Sequence, residues 1–225
     1  MPESVQFAKS IKMQFNTPSE IEKESMRIIA DELQRRGCDF PEDELPIIMR
    51  AIHTTADFDY SENLVFTDNA VKRAKEALRA GIPIITDTNM ALSGINKKIP
   101  EKQGCSLQCF MAEPGIAKDA ERNGVTRAYA SMSYAASHYE NAAFAIGNAP
   151  TALIRLCELM DEGYRPAFII AVPVGFVNVV ESKEMILSSC KTHDIPLIVS
   201  MGNKGGSTVA AGIMNAILYT ATRWE

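Results

Sequence analysis

The sequence has no apolar run approaching the about 18 residues that a membrane-spanning helix needs, and its opening, Met1-Pro2-Glu3-Ser4, lacks the basic and then apolar order of a secretion signal. Both absences predict a protein that stays in the cytoplasm. Basic residues are in the minority: 23 Lys and Arg against 28 Asp and Glu leave a net charge of −5, with a pI near 5.4. This excludes the broad basic surface on which non-specific nucleic-acid binding depends, so any anionic ligand must be held by a local cluster. Cysteine is scarce and odd in number, five residues scattered at Cys38, Cys105, Cys109, Cys157 and Cys190, which fits reduced thiols better than a disulfide framework. Cys105 and Cys109 have no second pair nearby, so no protein-bound metal is expected. Two nucleotide signatures are also missing, the glycine-rich G-x-G-x-x-G after a strand and the G-x-x-x-x-G-K-[ST] loop. Repeats, low-complexity tracts and linkers are absent too, which predicts one domain over residues 1–225.

What remains is ordinary globular material: 46% hydrophobic and 23% charged residues, with a mean hydropathy of −0.06, in a chain of 225 residues. Ile21, Met26, Ile29, Ala30 and Leu33 recur at helical spacing and predict a helix over 19–36, stopped by Gly37. An apolar segment at 45–52 ends at His53 and reads as a strand end. Thr67-Asp68 reads as the cap of a helix running to Ala80 and closed by Gly81, ahead of a strand over 82–85. In the second half, apolar strands are expected at 142–146, 168–172 and 195–200. Each is followed by a turn bearing Gly or Pro and by a helix, at 152–162, 181–190 and 208–219. Three successive strand–turn–helix units predict an α/β fold, a mostly parallel sheet flanked by helices on both faces. In such sheets ligands lie at the carboxyl ends of the strands, where these turns fall.

Few residues are suited to chemistry. Of only three histidines, His138 and His193 sit in polar surroundings that suggest surface positions, whereas His53 ends an apolar segment beside Thr54, Thr55 and Asp57. His53 is therefore the candidate acid–base group, although a lone histidine is a weak signal and more often structural. Lys204-Gly205-Gly206-Ser207 opens a helix, so free N–H groups and the positive dipole end could receive a carboxylate or phosphate, with Lys204 adding charge. A tight turn that merely needs glycine is the equal alternative. Gly147-Asn148-Ala149-Pro150-Thr151 and Ser182-Lys183 offer similar donors, or simple helix caps. Asp87-Thr88-Asn89-Met90 adds a fourth turn after the strand at 82–85. Arg127 begins a helix, against the preference of the dipole, which a ligand carboxylate would explain and a solvated surface position would also allow. The eleven methionines read as core filler.

Taken in order, these segments resemble the precorrin-8X methylmutase family, which includes the cobalt-precorrin-8 methylmutases of cobalamin biosynthesis. The likeness runs along nearly the whole chain. It is carried by Arg50-Ala51-Ile52-His53, Ala80-Gly81-Ile82-Pro83-Ile84, Asp87 with Met90, Thr126-Arg127, residues 145–153 (AIGNAPTAL), residues 173–177 (PVGFV) with Glu181-Ser182-Lys183, and Gly205-Gly206-Ser207. The resemblance implies a homodimeric isomerase that moves a methyl group from C-11 to C-12 of ring C, giving hydrogenobyrinate or, with cobalt, cobyrinate. It implies no redox or group-transfer cofactor. The family's catalytic histidine matches His53, and Ser25 and Arg127 match substrate-contacting positions. The expected substrate site then comprises Ser25, Arg50, Asp87, Met90, Arg127, Asn148, Ala149, Pro150, Thr151, Gly175, Ser182, Lys183, Lys204, Gly205, Gly206 and Ser207, with no metal ligand among them. Residues 54–60 (TTADFDY) and 86–90 (TDTNM) resemble the anaerobic branch, which implies cobalt-precorrin-8 as substrate, its cobalt belonging to the substrate. Two other readings stay open on residues alone: a non-catalytic corrinoid carrier, and an unrelated enzyme acting on a phosphorylated metabolite through the Gly-Gly-Ser turn.

Overall fold

The structure, a computed structural model, describes residues 17–222, so the opening tetrapeptide lies outside the described residues. The chain divides into two compact units, residues 1–39 and 40–225. In the first, α1 (Pro18–Arg35) begins at a reciprocal cap: the Glu20 amide donates to Thr17 Oγ1 at 3.3 Å and the Thr17 amide to Glu20 Oε2 at 3.1 Å. Gly37 follows the helix with φ +71°, in the left-handed conformation that ends helices at little cost to glycine.

The second unit holds a six-stranded sheet: β1 (Leu64–Phe66), β2 (Ile84–Thr86), β3 (Leu107–Gln108), β4 (Ala143–Ile146), β5 (Phe168–Ala171) and β6 (Leu197–Ser200), in the order β1-β6-β5-β4-β2-β3. Only β1 runs antiparallel to its neighbour; the other four pairings are parallel. The helices are α2 (Leu45–Thr55), α3 (Tyr60–Asn63), α4 (Ala70–Arg79), α5 (Asn89–Gly94), α6 (Lys98–Lys102), α7 (Pro114–Asn123), α8 (Arg127–His138), α9 (Pro150–Asp161), α10 (Val179–His193) and α11 (Ser207–Thr222). Strand side chains alternate between two buried faces. Ile85, Phe144, Ile146, Ile169, Ala171, Leu197 and Val199 pack against α8, α9 and α10. On the opposite face α4, α5 and α11 meet the sheet, and α2 lies on α11. Helix α11 is therefore apolar nearly all round, with Val209, Ala210, Ile213, Met214, Ile217 and Leu218 all buried. The α/β architecture expected from the sequence is thus present.

Two expectations change. Residues 45–55 form a helix rather than a strand, and His53 stands in its last turn. Ile47, Ile48, Ala51 and Ile52 are buried at helical spacing, but a short apolar run has no periodicity that separates a buried helix from a strand. Thr67 does not cap α4 with its side chain. Its hydroxyl accepts from the Leu197 amide at 2.8 Å and faces the Ile195 carbonyl at 3.3 Å, so it fastens the chain after β1 to the start of β6.

Close backbone approach explains particular glycines. A Cβ on Gly205 would meet the Val172 carbonyl oxygen at 2.1 Å, and one on Gly147 would meet Ser207 Cα at 2.6 Å. Gly115, inside α7, has open space around it. Gly205→Ala is expected to destabilise the fold by about 1–3 kcal/mol through overpacking. Gly115→Ala is expected to stabilise it by about 0.5–1 kcal/mol through reduced chain entropy. Chemical denaturation of both variants checks the pair, and equal stabilities would contradict the packing described.

Candidate active site

The chain leaves β2 towards β3 on one side of the sheet and leaves β4 towards β5 on the other, so the carboxyl ends of β2 and β4 flank the crevice where ligands bind in such folds. That crevice is bridged from within. Asp87, fully buried at the end of β2, accepts from the Gly147 amide at 2.9 Å, the Asn148 amide at 2.8 Å and the Ala149 amide at 2.7 Å. Burial pushes its carboxyl above the ordinary value while the three amide bonds pull against that rise. The donors expected to meet a substrate carboxylate are therefore taken by the protein's own. Asp87 is a clasp within the framework.

Neighbouring turns are joined to this clasp. Thr88 caps α5, accepting from the Ala91 amide at 3.1 Å, and its hydroxyl lies 2.8 Å from that of Ser207 at the start of α11. Thr151, in the first turn of α9, pairs its hydroxyl with Thr126 at 2.7 Å, which brings the start of α8 and Arg127 beside the Asn148-Ala149-Pro150 turn. Arg127 is exposed, and its guanidinium makes no ion pair among the described residues. Gly175, at φ +146°, donates to the Asn203 carbonyl at 3.2 Å and accepts from Asn203 Nδ2 at 2.7 Å. The Gly206 amide donates to Val172 O at 2.9 Å, so the Gly-Gly-Ser turn keeps fewer free donors than its sequence suggests.

The two lysines of the expected site exchange roles. Lys204 Nζ pairs with Asp57 at 2.5 Å and also with Asp59, so its charge is shared between two carboxylates. The pairing raises the Lys204 ammonium and holds the Asp57 carboxyl below its usual range. Lys183 is buried, and its Nζ donates to the carbonyls of Gly202 at 2.7 Å and Lys204 at 2.8 Å. Ser182 is buried beside it and donates to Val179 O at 2.9 Å. Neither side chain is open to solvent, whereas the sequence placed both among the substrate contacts. Helix α10 begins at Val179, earlier than the pattern of Glu181 onwards indicates, so the Ser182 amide bonds to Asn178 O within the helix.

His53 is exposed in the last turn of α2, and its imidazole makes no hydrogen bond among the described residues. Just beyond it, Ala56 takes φ +54° and turns the chain so that Asp57 and Asp59 reach Lys204. That ion pair ties the end of α2, which carries His53, to the turn before α11. Arg50 is directed elsewhere. Its guanidinium lies 5.9 Å from the ring centroid of Tyr219, about 18 Å along α11 from the helix start. Ser25 belongs to the N-terminal unit, where its hydroxyl donates to Ile21 O at 2.8 Å.

Met90 was expected at the site, but the exposed apolar side chains of Val174, Phe176 and Val177 were not singled out from sequence. Met90 is 66% exposed and Phe176 93% exposed, with Val174 and Val177 also outward. Exposed aromatic and aliphatic groups beside glycine were the available signal, along with the acidic Asp57-x-Asp59 facing the lone lysine of the Gly-Gly-Ser turn. A separate cleft of about 540 Å³ lies among α7, α8 and α9, lined by Arg122, Tyr129, Tyr134 and Arg155, and includes none of the rim residues named above. Among the described residues no three His, Cys, Asp or Glu side chains gather as a metal site would require.

The clasp yields a direct test. Asp87→Asn keeps the volume but leaves one acceptor oxygen for three amides, of which that of Gly147 is buried. It is expected to cost about 1–3 kcal/mol per orphaned donor, read by urea denaturation. A variant as stable as the parent would contradict the clasp.

Comparison with known proteins agrees with this geometry. The model of the family described as Precorrin-8X methylmutase matches residues 20–220. The cobalt-precorrin-8 methylmutase of Salmonella typhimurium strain LT2 is 42% identical over 208 residues, 90% of this chain and 95% of that protein. The cobalt-precorrin-8 methylmutase of Leptospira interrogans is 38% identical over 213 residues, 92% of this chain and 96% of that protein. The crystal structure of the precorrin-8X methylmutase from Thermus thermophilus superposes with a TM-score of 0.80 at 34% identity, covering 89% of this chain and 96% of that one. With sequence and fold matched over nearly their whole length, the chain belongs to the precorrin-8X methylmutase family and is an enzyme of the isomerase class.

Proposed function

We propose that the enzyme acts on cobalt-precorrin-8, moving a methyl group from C-11 to C-12 of ring C to give cobyrinate, with His53 as the proton donor. The position of His53 carries this reading: it is exposed at the end of α2, where Asp57, Asp59 and Lys204 tie the chain to the α11 turn. A positive charge on its ring would lie at the carbonyl end of α2, where the dipole favours cations. A corrinoid is a flat, largely apolar ring edged with carboxylates. Met90, Val174, Phe176 and Val177 offer it apolar surface, and Arg127 with the helix starts of α9 and α11 suits its edge.

Migration between adjacent ring carbons needs electron density drawn into the macrocycle, and a proton delivered to the ring does that. Isomerisation consumes no net proton, so the imidazole that lends one must recover it within the turnover. An intramolecular shift neither gains nor loses electrons, so the reading assigns no redox or group-transfer cofactor. Cobalt enters and leaves as part of the substrate. Residues 54–60 and 86–90, together with relatives of 38% and 42% identity named for cobalt-precorrin-8, support the cobalt-bearing substrate. A cytoplasmic homodimer completes the proposal.

Two kinetic outcomes follow. His53→Asn keeps size and polarity but cannot serve as the acid, so kcat should fall about 10²–10⁴-fold while corrinoid binding survives. Turnover within about tenfold of the parent would remove His53 from the acid role. Separately, kcat/KM should be higher for cobalt-precorrin-8 than for the metal-free substrate. A reversed preference would reassign the substrate while leaving the methyl shift in place.

A further inference from the structure

Lys183 is a buried cation with no carboxylate among its partners. Its Nζ donates to Gly202 O at 2.7 Å, Lys204 O at 2.8 Å and Ser200 Oγ at 3.4 Å, which uses the three donors of an ammonium. Ser200 Oγ in turn donates to Lys204 O at 2.8 Å, so strand end, turn and lysine form one closed network. These acceptors belong to β6 and to the turn that delivers Gly205, Gly206 and Ser207 to the start of α11. A neutral group could brace such a turn without burying a charge. The exposed lysine of the same turn, Lys204, is outnumbered by Asp57 and Asp59. The local positive field therefore comes from behind the turn.

We propose that Lys183 is the positioning residue of the corrinoid site, shaping the turn before α11 and supplying the unneutralised charge that draws a substrate carboxylate to that helix start. The proposal rests on the corrinoid reading above. Other charges around α10 are engaged elsewhere or lie outside this network. On β6 there is no ionisable side chain. On α9 and its cap, Arg155 pairs with Glu158 and Glu162, Asp161 with His193, and Cys157 is a buried thiol. On α10 itself Glu181, Glu184 and Lys191 are exposed and Cys190 is buried. None of these hydrogen-bonds Lys183 among the described residues.

Burial pushes the Lys183 ammonium down to about 8, so its charge is lost at accessible alkaline pH. An anion binds the protonated form more tightly. Its Kd is therefore flat below the folded value near 8 and rises above it. The test is absorbance titration of the full chain with cobyrinate across this range, with circular dichroism monitoring the fold. Wild type should show Kd rising about fivefold to tenfold between about pH 7 and about pH 9.5. Lys183→Arg, whose guanidinium stays charged, should show no such rise, and Lys183→Met should bind weakly at every pH. Should neither variant fold, the wild-type profile alone decides. A flat wild-type Kd, or the same rise in Lys183→Arg, overturns the role of Lys183 alone. A wild type that binds no cobyrinate at any pH overturns the corrinoid reading, and this proposal with it.

Discussion

The carboxylate of Asp87 holds the site region together, because it spans the one place where the sheet would otherwise part. Strands β2 and β4 send their chains in opposite directions, which leaves a crevice that many folds of this kind give to a ligand. Here three successive amides of the β4–α9 turn converge on one buried side chain at the end of β2. The next residue, Thr88, then reaches Ser207, and Gly147 comes so close to Ser207 that no Cβ would fit. Placement of the α5, α9 and α11 starts thus follows from one acceptor and two hydroxyls.

This arrangement changes where a polyanionic ring would find its partners. Turns rich in glycine look like open donor sets, yet the amides of Gly147, Asn148, Ala149, Gly175 and Gly206 already bond within the protein. The groups left facing outward are Arg127, the imidazole of His53 and the apolar side chains around Phe176. On the proposed reading, attraction for carboxylates would rest on few charges, while apolar contact with the ring face would contribute area. An acidic protein with a small electropositive rim suits a single multivalent ligand better than an extended polyanion.

Much of the fold was legible because local chemistry and tertiary packing agreed. Gly37, Gly81 and Gly163 all take positive φ just beyond helices, and the apolar runs at 82–85, 142–146, 168–172 and 195–200 coincide with buried strands of the parallel part of the sheet. The segment at 45–55 was misread because eleven mostly apolar residues are as consistent with a buried helix as with a strand. At the site, residue types were legible but pairings were not. Sequence supplies an inventory of donors and acceptors, and only the fold decides that Lys204 meets Asp57 and Asp59 while Lys183 turns inward, or that Arg50 lies over Tyr219.

The central claim is that this rim performs a methyl shift on a corrinoid rather than merely holding one. Incubating the protein with cobalt-precorrin-8 carrying ¹³C in the migrating methyl, and following its carbon resonance, tests that claim most directly. The account predicts loss of the signal of a methyl on C-11 and growth of one for a methyl on C-12, with the visible spectrum changing in step. Stoichiometric binding that leaves the label on C-11 would contradict it and make the protein a carrier.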